Sequence, residues 1–134
     1  MVVRVARLEG LDIDGGRGRD LVSFFDVVSN PSAGDTNLLE GVRVRLDKGF
    51  GIELGTGFGG RFKIESVEDL YGTTRQDALF GNAAKNFFRG YKGNDLLVGG
   101  GNNDELRGGL GRDTLRGGAG QDELTGSLSR WYKV

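Results

Sequence analysis

The chain has 134 residues, with 18 Lys+Arg against 19 Asp+Glu for a net charge of −1, and it contains neither His nor Cys. That length suits one domain or a fragment of a larger chain, and the missing residue types exclude thiolate and imidazole metal sites, Cys/His nucleophilic chemistry and disulfides. The near-neutral balance gives no drive toward nucleic acid or an anionic membrane surface, and no 18-residue apolar run is available to span a bilayer.

Residues 1–8 (MVVRVARL) alternate apolar and charged side chains, as a first or capping strand does. They are too short, and too basic within their apolar part, for a signal peptide. Residues 15–23 read GGRGRDLVS, a nine-residue unit that returns later in the chain. Asp12 and Asp14 precede it, but an EF-hand reading fails because Ser23, not Glu, holds the twelfth place. Within residues 24–40, the run NPSAGD at 30–35 is a loop signature and is expected to bulge from the main body.

Val42-Arg43-Val44-Arg45-Leu46 is a clean period-two strand, and Ile52-Glu53-Leu54 reads as another. Residues 55–60 (GTGFGG) satisfy G-x-G-x-x-G, but a dinucleotide site needs a helix next. Arg61-Phe62-Lys63-Ile64 stands there instead and alternates like a strand, so nucleotide binding is set aside. Glu68 and Asp69 read as exposed acids at a strand end.

From residue 72 to 125 the chain repeats every nine residues: GTTRQDALF, GNAAKNFFR, GYKGNDLLV, GGGNNDELR, GGLGRDTLR, GGAGQDELT. Internal periodicity of this kind takes precedence over other signals, and 26 Gly against a single Pro fits turns at fixed intervals. Glycine opens each unit, an acid or amide sits sixth (Asp77, Asn86, Asp95, Asp104, Asp113, Asp122), and a large apolar residue sits eighth (Leu79, Phe88, Leu97, Leu106, Leu115, Leu124). The glycines permit a tight turn. The last three places form a very short strand with one buried face. So short a strand buries its apolar side chain only by stacking on neighbours, which predicts a solenoid.

With two units per turn, Leu79, Leu97 and Leu115 form one inward ladder and Phe88, Leu106 and Leu124 the facing one. Asp77, Asp95 and Asp113 then line one edge, and Asn86, Asp104 and Asp122 the other. Carboxylates stacked at the strand spacing of roughly 4.8 Å repel by ~3–4 kcal/mol per pair at an effective dielectric of about 20. Positive charge between the levels removes that cost, and calcium, with six to eight oxygen ligands, tolerates the irregular geometry better than magnesium. A flexible Gly-rich linker has no reason to keep Asp and Leu in phase over six units.

The units match G-G-x-G-x-D-x-U-x, and the chain resembles the RTX (repeats-in-toxin, haemolysin-type) calcium-binding family. Residues 108–116 and 117–125 match at every defined place. The resemblance implies an all-β, right-handed parallel β-roll or β-solenoid, two nonapeptides per turn, with Ca2+ in the turns. It implies ligands from the second- and fourth-place carbonyls and sixth-place Asp of one unit. The unit two further on would give its first- and third-place carbonyls and its own Asp.

Carried over, one site takes Thr73, Arg75, Asp77, Gly90, Lys92 and Asp95; a second takes Tyr91, Gly93, Asp95, Gly108, Leu110 and Asp113. A third takes Gly100, Asn102, Asp104, Gly117, Ala119 and Asp122. A fourth, from Asn82, Ala84, Asn86, Gly99, Gly101 and Asp104, is expected to be weaker or empty because Asn86 replaces a carboxylate. Asp20, with Asp12 and Asp14, is a further candidate. That makes about three well-formed sites in 72–125 and one or two more.

The resemblance extends to residues 67–72 (VEDLYG), similar to the lead-in of such repeat blocks. It implies an irregular solenoid or cap over 1–71 with the isolated unit at 15–23, a regular roll over 72–125, and a C-terminal cap over 126–134, all one continuous domain. Trp131 takes the sixth place of the last unit and ends the acidic ladder; with Tyr132 it is expected to cap the open end or to dock on a neighbouring domain. The arginines at 89, 107, 112 and 116 read as a solvated face.

The functional expectation is a monomeric, calcium-binding module of a secreted bacterial protein. Unfolded at low cytosolic calcium, it would fold on binding the ion outside the cell and so aid type I secretion. Such secretion reads a C-terminal signal in the parent chain, and this chain ends at Val134 without a long tail, as an excised module would. The alternatives are an anionic-polysaccharide-binding module of an exported enzyme such as a mannuronan epimerase, using Arg43, Arg45, Arg61 and Lys63, or a calcium-stiffened adhesin spacer. The segment itself is not expected to be an enzyme, since without His or Cys its phased carboxylates are all assigned to calcium.

Overall fold

The computed structural model describes residues 1–4, 11–25, 40–53 and 61–126. The expected loop at 30–35, the G-x-G-x-x-G run and the cap residues Trp131 and Tyr132 lie outside them. In chain order the strands are β1 (Val2–Arg4), β2 (Asp12–Asp14), β3 (Leu21–Ser23), β4 (Glu40–Arg45), β5 (Phe50–Glu53), β6 (Arg61–Glu65) and β7 (Asp69–Tyr71). The repeat block adds β8 (Gln76–Phe80), β9 (Phe87–Lys92), β10 (Leu96–Gly101), β11 (Glu105–Leu110), β12 (Thr114–Ala119) and β13 (Glu123–Thr125). No helix occurs among the described residues.

The chain coils alternately through two facing sheets, an all-β parallel solenoid. One sheet runs β1-β3-β7-β9-β11-β13, with every pair parallel. The other runs β12-β10-β8-β4-β5-β6-β2. Within the repeats, units two apart pair in register: Leu97 lies beside Leu79 and Leu115, and Leu106 beside Phe88 and Leu124. The eighth-place residues point inward and make the core; Leu79, Phe88, Leu97, Leu106 and Leu115 are fully buried. Each such side chain contributes about 1.5–3 kcal/mol on leaving water.

Two features depart from a plain roll. First, β4, β5 and β6 form an antiparallel meander wedged between β2 and β8. The strand expected at 52–54 is β5, shifted toward Phe50. Gly51 makes the wedge possible, because the Phe62 ring fills the space a Gly51 side chain would take and packs on Phe24 at 5.4 Å between centroids.

Second, the isolated unit at 15–23 does not stand apart. Its strand β3 pairs with β7, which pairs with β9, so it stacks two levels above the regular block. The arginine face is also only partly a matter of hydration: Arg89 lies over Tyr71, Phe87 and Tyr91 at 5.2, 5.8 and 5.7 Å, and Arg107 over Phe87 at 5.3 Å.

Candidate metal centre

The turns that join the two sheets carry the acids in two columns. Asp95, Asp104, Asp113 and Asp122 each reach back one level and accept the amide of the counterpart eighteen residues earlier. Asp77 N donates to Asp95 Oδ1 at 2.8 Å, Asp95 N to Asp113 Oδ1 at 3.0 Å, Asn86 N to Asp104 Oδ1 at 2.8 Å, and Asp104 N to Asp122 Oδ1 at 2.9 Å. The fifth place adds a parallel rung where it is Asn: Arg112 N donates to Asn94 Oδ1 and Gln121 N to Asn103 Oδ1, both at 2.9 Å. The repeat consensus leaves that place undefined and so does not announce the rung, although an Asn two units before an exposed turn is a usable signal.

One oxygen of each acid is thereby satisfied, and the fate of the other divides the turns into two kinds. In 72–77, Thr73 N donates to Asp77 Oδ2 at 2.7 Å, while Thr73 Oγ1 and Val42 N, both at 2.9 Å, donate to Oδ1. Both oxygens of Asp77 therefore already accept hydrogen bonds from its own chain. In 81–86, Asn82 N donates to Asn86 Oδ1 at 3.0 Å and Asn86 Nδ2 donates to Glu68 O at 2.7 Å. In both turns the second-place side chain accepts the fourth-place amide (Arg75 N to Thr73 Oγ1, Ala84 N to Asn82 Oδ1), a side-chain-built turn.

The later turns use left-handed backbone at the second and fourth places instead: Tyr91 (φ 78°) and Gly93 (116°), Gly100 (116°) and Asn102 (74°), Gly109 (99°) and Gly111 (133°). There Asp95, Asp104 and Asp113 each keep an Oδ2 that is buried and has no hydrogen-bond partner. Unpaired buried charge is costly. Burial accordingly pushes the Asp95 carboxyl up to about 8, with the charges of Asp77 and Asp113 adding to it. Asp104 and Asp113 are raised mainly by burial. Asp77 rises only to about 6, because the bonds from Val42 and Thr73 oppose burial.

Glycine at the first place makes room for these oxygens. A side chain on Gly90 would begin 2.2 Å from Asp95 Oδ2 and 2.6 Å from Gly108 O; on Gly99, 2.2 Å from Asp104 Oδ2 and 2.7 Å from Gly117 O. The carboxylate of one unit and the first-place carbonyl two units on thus converge on one cradle. Among the described residues no group of three acidic side chains gathers around a point. The oxygens that converge here are carboxylates of adjacent levels and backbone carbonyls, a hard all-oxygen set of the kind that suits calcium.

The family model for the RTX calcium-binding nonapeptide repeat, four copies long, matches residues 71–106 and 98–128. Residues 71–128 are an RTX repeat block. No curated protein matches the chain. RTX repeats bind calcium, and the orphaned oxygens of Asp95, Asp104 and Asp113 fit that ion.

The first two units of the RTX block hold their sixth-place side chains differently from the three that follow. Of the residues expected at a first site, Thr73 and Asp77 bond to each other, and Arg75 N is tied to Thr73. Gly90 O lies 3.3 Å from where a Gly72 side chain would begin, beside Asp77 Oδ2. The trio Asp12, Asp14 and Asp20 does not converge; Asp14 Oδ1 instead accepts Gly16 N at 3.0 Å, because β2 turns its acids outward and Asp20 is buried. Glu68 and Asp69 are not simply exposed strand-end acids. Glu68 Oε2 accepts Asp20 N at 2.9 Å, and Asp69 is gripped by Arg19 Nε and Nη2, each at 2.8 Å, and by Phe87 N at 3.0 Å.

Proposed function

We propose that this chain is a calcium-triggered folding module. The observation that carries the reading is the set of buried, unpartnered carboxylate oxygens in the left-handed turns. Calcium supplies positive charge between stacked levels. Asp95, Asp104, Asp113 and Asp122 would hold it together with the carbonyls of Tyr91, Gly93, Gly100 and Asn102 and those of Gly108, Leu110, Gly117 and Ala119. Two sites result, Asp95/Asp113 and Asp104/Asp122. The Asp77/Asp95 level, where Lys92 and Gly90 would contribute carbonyls, binds more weakly because both Asp77 oxygens already accept hydrogen bonds, and Asn86 weakens its level for want of charge.

Without the ion the buried charges oppose folding, so binding energy becomes folding energy. RTX repeats are typical of exported bacterial proteins, and a chain unfolded at cytosolic calcium and folded outside suits passage through a type I channel. Far-UV circular dichroism during calcium titration tests this: the β signal grows with calcium and is lost with chelator. A signal indifferent to both refutes it. Polysaccharide binding through Arg43, Arg45, Arg61 and Lys63 draws less support. Arg45 is paired with Asp47 and Lys63 with Glu65, 2.8 and 2.9 Å apart, while Arg61 lies over Phe50.

A further inference from the structure

We propose that the turn at 15–20 and the short turn at 66–68 form an additional divalent-cation site, outside the matched repeats, in which Glu68 takes the part of a repeat aspartate. It rests on the calcium reading above. Three observations set this turn with the cation type. Gly16 (φ 82°) and Gly18 (110°) have the same left-handed second and fourth places as the turns at 90, 99 and 108. Asp20 is only 1% exposed, and its Oδ2 has no hydrogen-bond partner. The cradle geometry also repeats: a side chain on Gly15 would begin 1.9 Å from Ser66 O and 2.9 Å from Asp20 Oδ2. Ser66 O therefore stands where Gly108 O stands over Asp95.

The overlying level is abbreviated. A repeat spends six residues from its first glycine to its acid, whereas here three residues, Ser66 to Glu68, make the same crossing. Gly15 N donates to Glu65 O at 2.9 Å, as Gly72 N does to Arg89 O at 2.8 Å, which fixes Ser66 as the first place. Asp20 N donates to Glu68 Oε2, which fixes Glu68 as the acid of that level. The longer glutamate side chain reaches the column from a shorter turn, where aspartate falls one methylene short. Ser66 holds φ 54°, a left-handed value uncommon for a residue with a side chain.

The nearby cations leave Asp20 Oδ2 uncovered. Arg19 is turned onto Asp69 by two hydrogen bonds, and the Met1 ammonium contacts Oδ1, not Oδ2.

The test is the number of calcium ions bound per full-length chain, by equilibrium dialysis, for the unsubstituted protein, Glu68→Gln, Glu68→Asp and Asp20→Asn. Each variant is expected to bind one ion fewer; Glu68→Asp, which keeps the charge, isolates the reach. Glu68→Gln and Asp20→Asn each keep the oxygen that accepts the neighbouring group, and should one fail to fold the other is read in its place. An unchanged count in all three variants overturns the additional site while leaving the repeat sites standing. No bound calcium in the unsubstituted chain overturns both.

Discussion

Replacing Asp95 by Asn separates two tasks of one carboxyl. Oδ1 accepts Asp77 N, and an amide oxygen keeps that bond. Oδ2 is buried without a partner, and burial together with Asp77 and Asp113 raises the group from 3.8 to about 8. At pH 7 the calcium-free folded chain must hold a proton that the unfolded chain has released, a cost on the order of 4 kcal/mol. Asp95→Asn removes that cost, so β structure in chelator should increase and resist urea better. In calcium the sign reverses. Asp95 lies between two stacked levels, and a site filled at about 100 times its Kd contributes about 2.7 kcal/mol, so the calcium-dependent gain in stability should fall by at least that much. Urea titrations followed by circular dichroism, in chelator and in saturating calcium, read both effects. A variant less stable than the parent in chelator, with an undiminished calcium gain, would refute the assignment of Oδ2 to a cation.

The same geometry fixes two further outcomes. Gly99→Ala places a methyl group against Asp104 Oδ2 and the fixed carbonyl of Gly117, so it should lose one bound ion and cost about 1–3 kcal/mol in calcium; calcium counting and thermal melts check it, and an unchanged count counts against the cradle. In calcium-free protein the raised carboxyls of Asp95 and Asp77 mean that the folded chain binds more protons than the unfolded chain. Their stabilisation is complete below about pH 4 and is lost as pH rises through about 6 for Asp77 and about 8 for Asp95, at up to ~1.4 kcal/mol per pH unit for each group. Urea melts between pH 4 and 8 in metal-free buffer should show stability falling with pH. Stability rising across that window would show that these carboxyls are not desolvated.

The nine-residue period made the repeat block legible because most interactions that shape it lie within one unit or between residues eighteen apart. The inward ladders of Leu97 and Leu106, the acidic columns through Asp95 and Asp104, and the parallel stacking all come from phase alone. Phase could not show how a turn satisfies its own acid. Thr73 and Tyr91 occupy the same place, yet Thr73 turns a hydroxyl and an amide onto Asp77, while Tyr91 takes a left-handed φ and leaves Asp95 Oδ2 unpaired. The wedge of β4 and β5 was equally hidden, since Gly51 has meaning only once Phe62 lies across it.

Sequence alone therefore determined the coil, its core and the edges on which acids gather, because these depend on residue type at a regular interval. Tertiary structure decided which acids keep a buried oxygen without a partner, and it brought Glu68 beneath Asp20 across forty-eight residues. Hydrogen-bond satisfaction of a buried charge is a property of its three-dimensional neighbours, and a repeat pattern records only the neighbours that recur.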